Sequence, residues 1–245
     1  MKSVWVIYLV IVIYYLLGTA GIYFINRKKD HETRHKAWIK HFTYFILISF
    51  IFFSIAIEVT VFRYIAAVII IAGFFELAKL FVKSGYSHTI FFVASLAVFA
   101  VLSAGFFFFT RMGHGLILFT FLILCIFDGF SQVTGQLLGK RKLFPEISPN
   151  KTVEGLIGGA TFAILSGLVF RELIPEIPAP RILLLGAVVV MFAFAGDTAK
   201  SVYKRKYHVK DFSKMIPGHG GILDRFDSLI AGGAGVALLG WLTGF

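Results

Sequence analysis

Eight long apolar runs follow one another along this chain, at about 4–26, 39–57, 60–82, 89–110, 114–135, 153–174, 181–199 and 222–244. Each approaches the ~20 residues that a helix needs to cross the hydrocarbon core of a bilayer. Backbone N–H and C=O groups find no water there, so only helices or a closed barrel can span it. The runs are too long and too continuous for barrel strands, which alternate apolar and polar residues. The expected fold class is therefore all-α: a polytopic membrane protein with about eight transmembrane helices. Composition agrees, with 58% hydrophobic residues, 15% charged residues and 29 Phe. Soluble domains carry about 25% charged residues, so a water-soluble globular domain is excluded, as is a disordered chain. The single cysteine, Cys125, lies inside the apolar segment LILCIF. It reads as a small buried hydrophobe rather than half of a disulfide. The first run is too long for a cleaved leader and has no small-residue cleavage site before the basic cluster that follows it, so it is expected to be a retained helix.

The charges sort by side. Of the 24 Lys and Arg residues, eighteen fall in the connectors after the first, third, fifth and seventh runs. These include Arg27, Lys28 and Lys29, then Lys79 and Lys83, then Lys140 to Lys142, then Lys204 to Lys206. Only Lys2, Arg63, Arg111, Arg171 and Arg181 belong to the opposite side, and Arg225 opens the eighth run. By the positive-inside rule the basic connectors are expected in the cytoplasm and both termini outside it. The formal net charge of +11 then reports topology and attraction to an anionic lipid surface; no nucleic-acid partner is expected.

Polar character is concentrated late in the chain. Residues 1–125 are apolar helices with plain connectors, and 126–245 carry most of the membrane-edge carboxylates and the long polar loops. In the sixth run Gly155, Gly159, Ala163 and Gly167 recur every fourth residue, a stripe for close helix packing. Asp128, Asp197, Asp224 and Asp227 all meet the membrane at the ends of runs that share one side. Each would cost roughly 2.5–3.5 kcal/mol at a helix centre on insertion scales, so such charges are functional by default. Any one of them could simply pair with a nearby cation, but four at one level among basic loops point to a metal and polyanion site. Asp197, Lys200, Ser201, Lys204 and Arg205 fall at i, i+3, i+4, i+7 and i+8, one helical face running from carboxylate to cations. Two roles are open to Lys200, pairing with Asp197 or reaching a substrate phosphate, and the second is favoured because the basic residues of its stripe face that way. Asp224, Asp227 and Ser228 share another face. Carboxylate oxygens together with substrate phosphates suit a hard ion such as Mg²⁺. Before the eighth run, PGHGGILDRFD lets Gly218, Gly220 and Gly221 bring backbone N–H groups up to an anion. The segment EISPNKTVEG is a second helix entrance, with Thr152 as N-cap and Lys151 beside it.

The stretch SVYKRKYHVKDFSKMIPGHGGILDRFD, residues 201–227, resembles the signature of the phosphatidate cytidylyltransferase (CDP-diacylglycerol synthase) family. A second block, Ser148 to Gly155, and the spaced glycines Gly135 and Gly139 agree with it. The resemblance covers the chain from about Asp128 onward; the first four runs are similar to the family only in hydropathy and number. It implies transfer of cytidylyl from CTP to phosphatidate or a related anionic lipid, releasing pyrophosphate, in a bacterial cytoplasmic membrane. It implies Asp197, Asp224, Lys204 and Arg225 as the catalytic set, with Asp197 and Asp224 as ligands of Mg²⁺. It implies that Lys151, Arg205 and Lys210 hold phosphates and that His219, Gly220 and Gly221 shape the nucleotide loop. Asp128, Ser148, Lys200, Ser201, Asp211 and Asp227 complete the substrate-binding set. A second, monovalent ion and a homodimer stay open. Two positions depart from the family: Lys200 stands where it usually has Glu, and Asp128 is followed by Gly-Phe-Ser-Gln rather than a hydroxyl residue and Ala-Tyr. A CTP-dependent lipid kinase and an ion-coupled transporter are the alternatives.

Overall fold

A computed structural model of the protein describes residues 2–27, 30–218 and 220–244. Eight helices in it are long and apolar enough to cross a membrane. They are α1 (Lys2–Asn26), α2 (His31–Ile57), α3 (Val59–Lys83), α4 (Thr89–Phe109), α5 (His114–Leu138), α6 (Val153–Val169), α7 (Ala179–Lys206) and α8 (Leu223–Thr243). A 3₁₀ turn, Phe170–Leu173, continues α6. The expected polytopic all-α membrane protein is thus what the chain forms.

Three boundaries differ from the hydropathy reading, each for a local reason. Helix α2 starts eight residues before the apolar run expected from residue 39, because the Asp30 carboxylate accepts a hydrogen bond from Thr33 N at 2.8 Å and caps it. Helix α7 continues past the expected end at residue 199 to Lys206, so the basic stripe is helical and projects beyond the apolar stretch. The connector after α5 is not a plain loop. Its β1 (Lys142–Phe144) and β2 (Ser148–Thr152) pair antiparallel as a two-stranded ribbon.

Packing centres on α5, α7 and α8, whose inward faces supply much of the core: Ile117, Phe119, Ile123, Ile182, Leu185 and Val236 are fully or almost fully buried. Large apolar side chains such as Leu9, Ile71, Val101 and Trp241 stand exposed on the outer helix faces, as lipid-facing residues must. Helix α6 meets α5 through the small-residue stripe: Gly155, Gly159, Ala163 and Gly167 are its buried residues. Helices α7 and α8 come together closely at Gly196, where a Cβ would lie 2.5 Å from the Ala231 Cβ. That contact sits beside Asp197 and Asp227. Glycine at 196 is thus what allows carboxylates from two helices to be shared.

The connectivity sets which ends meet. The C-terminal ends of α3, α5 and α7 and the N-terminal ends of α6 and α8 fall on one side of an antiparallel bundle. Glu76, Asp128, Lys151, Asp197 and Asp224 lie at these ends.

Candidate active site

Asp197, near the end of α7, is held from two directions. Its Oδ1 is 2.8 Å from Lys200 Nζ, and its Oδ2 pairs with Lys151 Nζ from the end of β2. Lys151 Nζ also donates to Thr198 Oγ1 at 3.3 Å and lies 4.9 Å from the Phe194 ring centroid. Lys200 Nζ crosses to α8, where it is 2.8 Å from Asp227 Oδ1 and 3.0 Å from the Asp224 carbonyl oxygen. One turn on, Lys204 Nζ is 2.5 Å from Asp224 Oδ1. Three carboxylates from two helices therefore alternate with three ammonium groups. In the buried pairs, Lys200 with Asp227 and Lys204 with Asp224, removing one partner is costly, because the charge left behind has lost its water as well as its partner.

Asp224 does more than pair with a lysine. Its Oδ2 accepts hydrogen bonds from Phe212 N and Gly221 N, both at 2.9 Å. It thereby ties the loop after α7 to the start of α8. Within that loop Ile216 and Gly220 pair as an isolated bridge, with N···O distances of 2.8 and 3.2 Å. Gly220 has φ +86°, a conformation that L side chains rarely adopt, and a Cβ there would sit 2.7 Å from Asp224 Oδ2. Asp211 flanks the same glycine, its Oδ1 being 3.2 Å from that Cβ position.

One member of this site escaped the sequence reading. Glu76 on α3 is buried, and its carboxylate accepts from Ser213 Oγ at 2.7 Å, Ile222 N at 3.0 Å and Leu223 N at 2.8 Å. Ile222, the N-cap of α8, provides no side-chain cap of its own. Glu76 does that work from another helix, placing a negative charge at the positive end of α8. The signal was present as a lone carboxylate in the apolar segment FFELAKL.

The remaining expected residues divide. Thr152 Oγ1 accepts from Gly155 N at 3.1 Å and caps α6 as read from sequence. Asp128 is on α5 and exposed. Ser201 Oγ donates to the Asp197 carbonyl at 2.8 Å, a bond within its own helix. Arg205 turns away from the carboxylates: its Nε donates to the Ile147 carbonyl at 3.1 Å and its guanidinium to the Val209 carbonyl at 3.3 Å, linking the ribbon to the end of α7. Arg225 and Lys210 are exposed, and Ser148 is in β2. His219 lies outside the described residues. Of the two roles open to Lys200, the structure shows the pairing with Asp197 rather than the favoured reach toward a phosphate, and adds Asp227 as a second partner.

Beside the cluster is a cavity of about 320 Å³ between α3, α4, α7 and α8. Phe91, Val98, Phe99, Leu102 and Ile230 make it apolar, while Lys200 and Asp227 reach its wall. Charge and apolar space adjoin at the ends of membrane helices, which is the arrangement an amphipathic substrate needs.

These features define a polytopic membrane protein with a cation-and-carboxylate site at one edge of its helical bundle. The sequence profile of the cytidylyltransferase family matches residues 1–243, and the chain belongs to that family. It is 49% identical over 105 residues to the phosphatidate cytidylyltransferase of Bacillus subtilis, a stretch covering 42% of this chain and 39% of the relative. It is 45% identical over 127 residues to the phosphatidate cytidylyltransferase of Staphylococcus epidermidis, covering 51% of this chain and 49% of the relative. The protein of that name from Staphylococcus aureus is 41% identical over 128 residues, with the same shares. The aligned stretches thus span half or less of these relatives' lengths.

Proposed function

We propose that this protein transfers cytidylyl from CTP to phosphatidate or a related anionic lipid phosphate. The observation that carries the reading is the junction of the Asp197–Lys200–Asp227 and Asp224–Lys204 pairs with the Gly220–Gly221 loop at one end of the bundle. The family and the named relatives support it. In the reaction an oxygen of the lipid phosphate bonds to the α-phosphorus of CTP. The bond from that phosphorus to the β-phosphate oxygen breaks, and pyrophosphate leaves. The attacking oxygen is already anionic at neutral pH, so the site needs no strong general base. Its task is to overcome repulsion between two polyanions. Lys151, Lys204 and Arg225 supply positive charge at the membrane edge. The N–H groups expected to meet an anion are taken within the protein, Gly220 N by the Ile216 carbonyl, Gly221 N by Asp224, and Ile222 N and Leu223 N by Glu76, so the loop contributes by fixing Asp224 in place. Holding both phosphates in line removes much of the remaining barrier. The apolar cavity is the place we assign to an acyl chain.

The donor set also fits a hard divalent ion. It is made of carboxylates, and the oxygens of Asp197 and Oδ1 of Asp224 already face ammonium cations. Among the described residues no three His, Cys, Asp or Glu side chains form a ready ligand set. Asp197 and Asp224 would therefore hold Mg²⁺ together with substrate oxygens, and the ion would supply charge neutralisation to the phosphates.

The test is incubation of the purified protein with phosphatidate, Mg²⁺ and CTP labelled in the cytidine. Labelled lipid is the expected product. Transfer of label only from the γ-phosphate would make the protein a lipid kinase, and failure to bind CTP would favour ion transport. For orientation, we place the α7–α8 loop in the cytoplasm of a bacterial cell and both termini outside. A reporter at the C-terminus should then read as external and one inserted near residue 214 as cytoplasmic; the reverse pattern would overturn this placement.

A further inference from the structure

We propose that Lys200 is a built-in cation: it fills, by a covalent tether, the position between Asp197 and Asp227 that would otherwise need a dissolved ion. An ammonium group has three N–H donors and no acceptor. Lys200 Nζ finds three acceptors, Asp197 Oδ1 at 2.8 Å, Asp227 Oδ1 at 2.8 Å and the Asp224 carbonyl at 3.0 Å. Its hydrogen-bonding capacity is thus satisfied by the protein. Its side chain is only 10% exposed. These are the surroundings of an ion held by a cage, not of a lysine waiting for a phosphate.

Asp227 shows what the tether is for. Its side chain is 7% exposed, and among the described residues Lys200 is the only cationic side chain at salt-bridge distance from it. Its second oxygen, Oδ2, is buried without a hydrogen-bond partner. At contact distance this carboxylate is served by one cation, supplied from the facing helix. Asp197 is different, since Lys151 also reaches it. The close contact at Gly196 and Ala231 brings α7 near enough to α8 for one lysine stem to serve both helices. A tethered cation is present at any salt composition, whereas a dissolved one stabilises only in proportion to its binding. In this protein the α7–α8 junction is therefore complete without a monovalent ion.

The test needs neither CTP nor lipid, so its failure would leave the proposed reaction untouched. Thermal unfolding of the full-length protein in detergent and chelator is followed in choline chloride, then in KCl or NaCl at equal ionic strength. The parent should unfold at one temperature in choline, K⁺ and Na⁺. Lys200→Met keeps most of the stem and removes the charge. It should lower Tm by about 10 °C in choline and regain part of that loss in K⁺ or Na⁺. Lys200→Met combined with Asp227→Asn removes both charges and should recover most of the stability in choline, with no response to K⁺ or Na⁺. A double variant that folds where the single one does not would carry the same conclusion. The idea fails if Lys200→Met matches the parent in Tm and ion response. It also fails if the double variant is no more stable than the single one, or if neither folds.

Discussion

Asp224→Asn and Asp197→Asn are each expected to lower kcat for lipid cytidylylation by about 10³-fold or more, the scale seen when a group stabilising transition-state charge is removed. Asp224 is the more demanding position. One of its oxygens receives two loop N–H groups and the other receives Lys204. Asparagine can still accept from the two N–H groups through its single carbonyl oxygen. Its NH₂ group would then face the Lys204 ammonium, donor against donor, and the charge available to the proposed divalent ion is gone. At Asp197 the substitution strands Lys151 beside a neutral amide and leaves Lys200 with Asp227 as its one carboxylate partner at salt-bridge distance. If both carboxylates serve one ion, the double variant should be little worse than the more damaged single variant, because the ion is lost only once. The measurement is kcat at saturating CTP, with thermal unfolding run alongside to show that each variant is folded. Single-variant losses that multiply in the double variant would mean two independent roles rather than a shared ion.

The parts of this molecule legible in its sequence are those dictated by solvent. A bilayer requires about 20 apolar residues per helix, so α3, α4 and α8 were placed to within a residue or two by hydropathy alone. Close packing requires small residues at helical spacing, so the α6 stripe could be read. Capping requires a short hydroxyl or carboxylate side chain before a helix, so Thr152 could be read too. Partners across the fold were less visible. Periodicity put Lys200 and Lys204 on one face with Asp197, but a shared face does not say which neighbouring helix it meets. Lys200 found Asp227, and Lys204 found Asp224. Arg205, on the same stripe, found a carbonyl in the β1–β2 connector, a ribbon too short to show strand alternation. Glu76 was the hardest to see. It is more than 130 residues from the groups it binds, and no local pattern announces a cap delivered from another helix.

Glu76 is also the position where a change far from the signature should disturb it most. Its carboxylate is the acceptor for one hydroxyl and two backbone N–H groups. Glu76→Ala would leave all three without that partner, Leu223 N in a buried place and the other two in part-buried ones, at about 1–3 kcal/mol for each donor left unsatisfied. A loss of at least about 3 kcal/mol is expected, equivalent to a fall in Tm of roughly 6–12 °C for a chain of this size. The effect should not stop at stability. A Cβ on Gly221 would lie 2.4 Å from Glu76 Oε1, so the carboxylate packs directly on the loop backbone. Without it, the Gly220–Gly221 segment and the first turn of α8 lose their fixed position. If Glu76 is a positioning residue for the proposed nucleotide loop, KM for CTP should rise more than kcat falls. Glu76→Gln keeps one acceptor oxygen and the length of the side chain but loses the charge at the helix end, so it should be intermediate in both respects. Glu76→Asp keeps the charge but is one methylene too short to reach Leu223 N and Ser213 Oγ together, and should resemble the alanine variant in KM. Steady-state kinetics at varied CTP, beside thermal unfolding, separates the cases. A glutamine variant with the parent's Tm and KM would show that α8 holds its own start and that Glu76 only fills space.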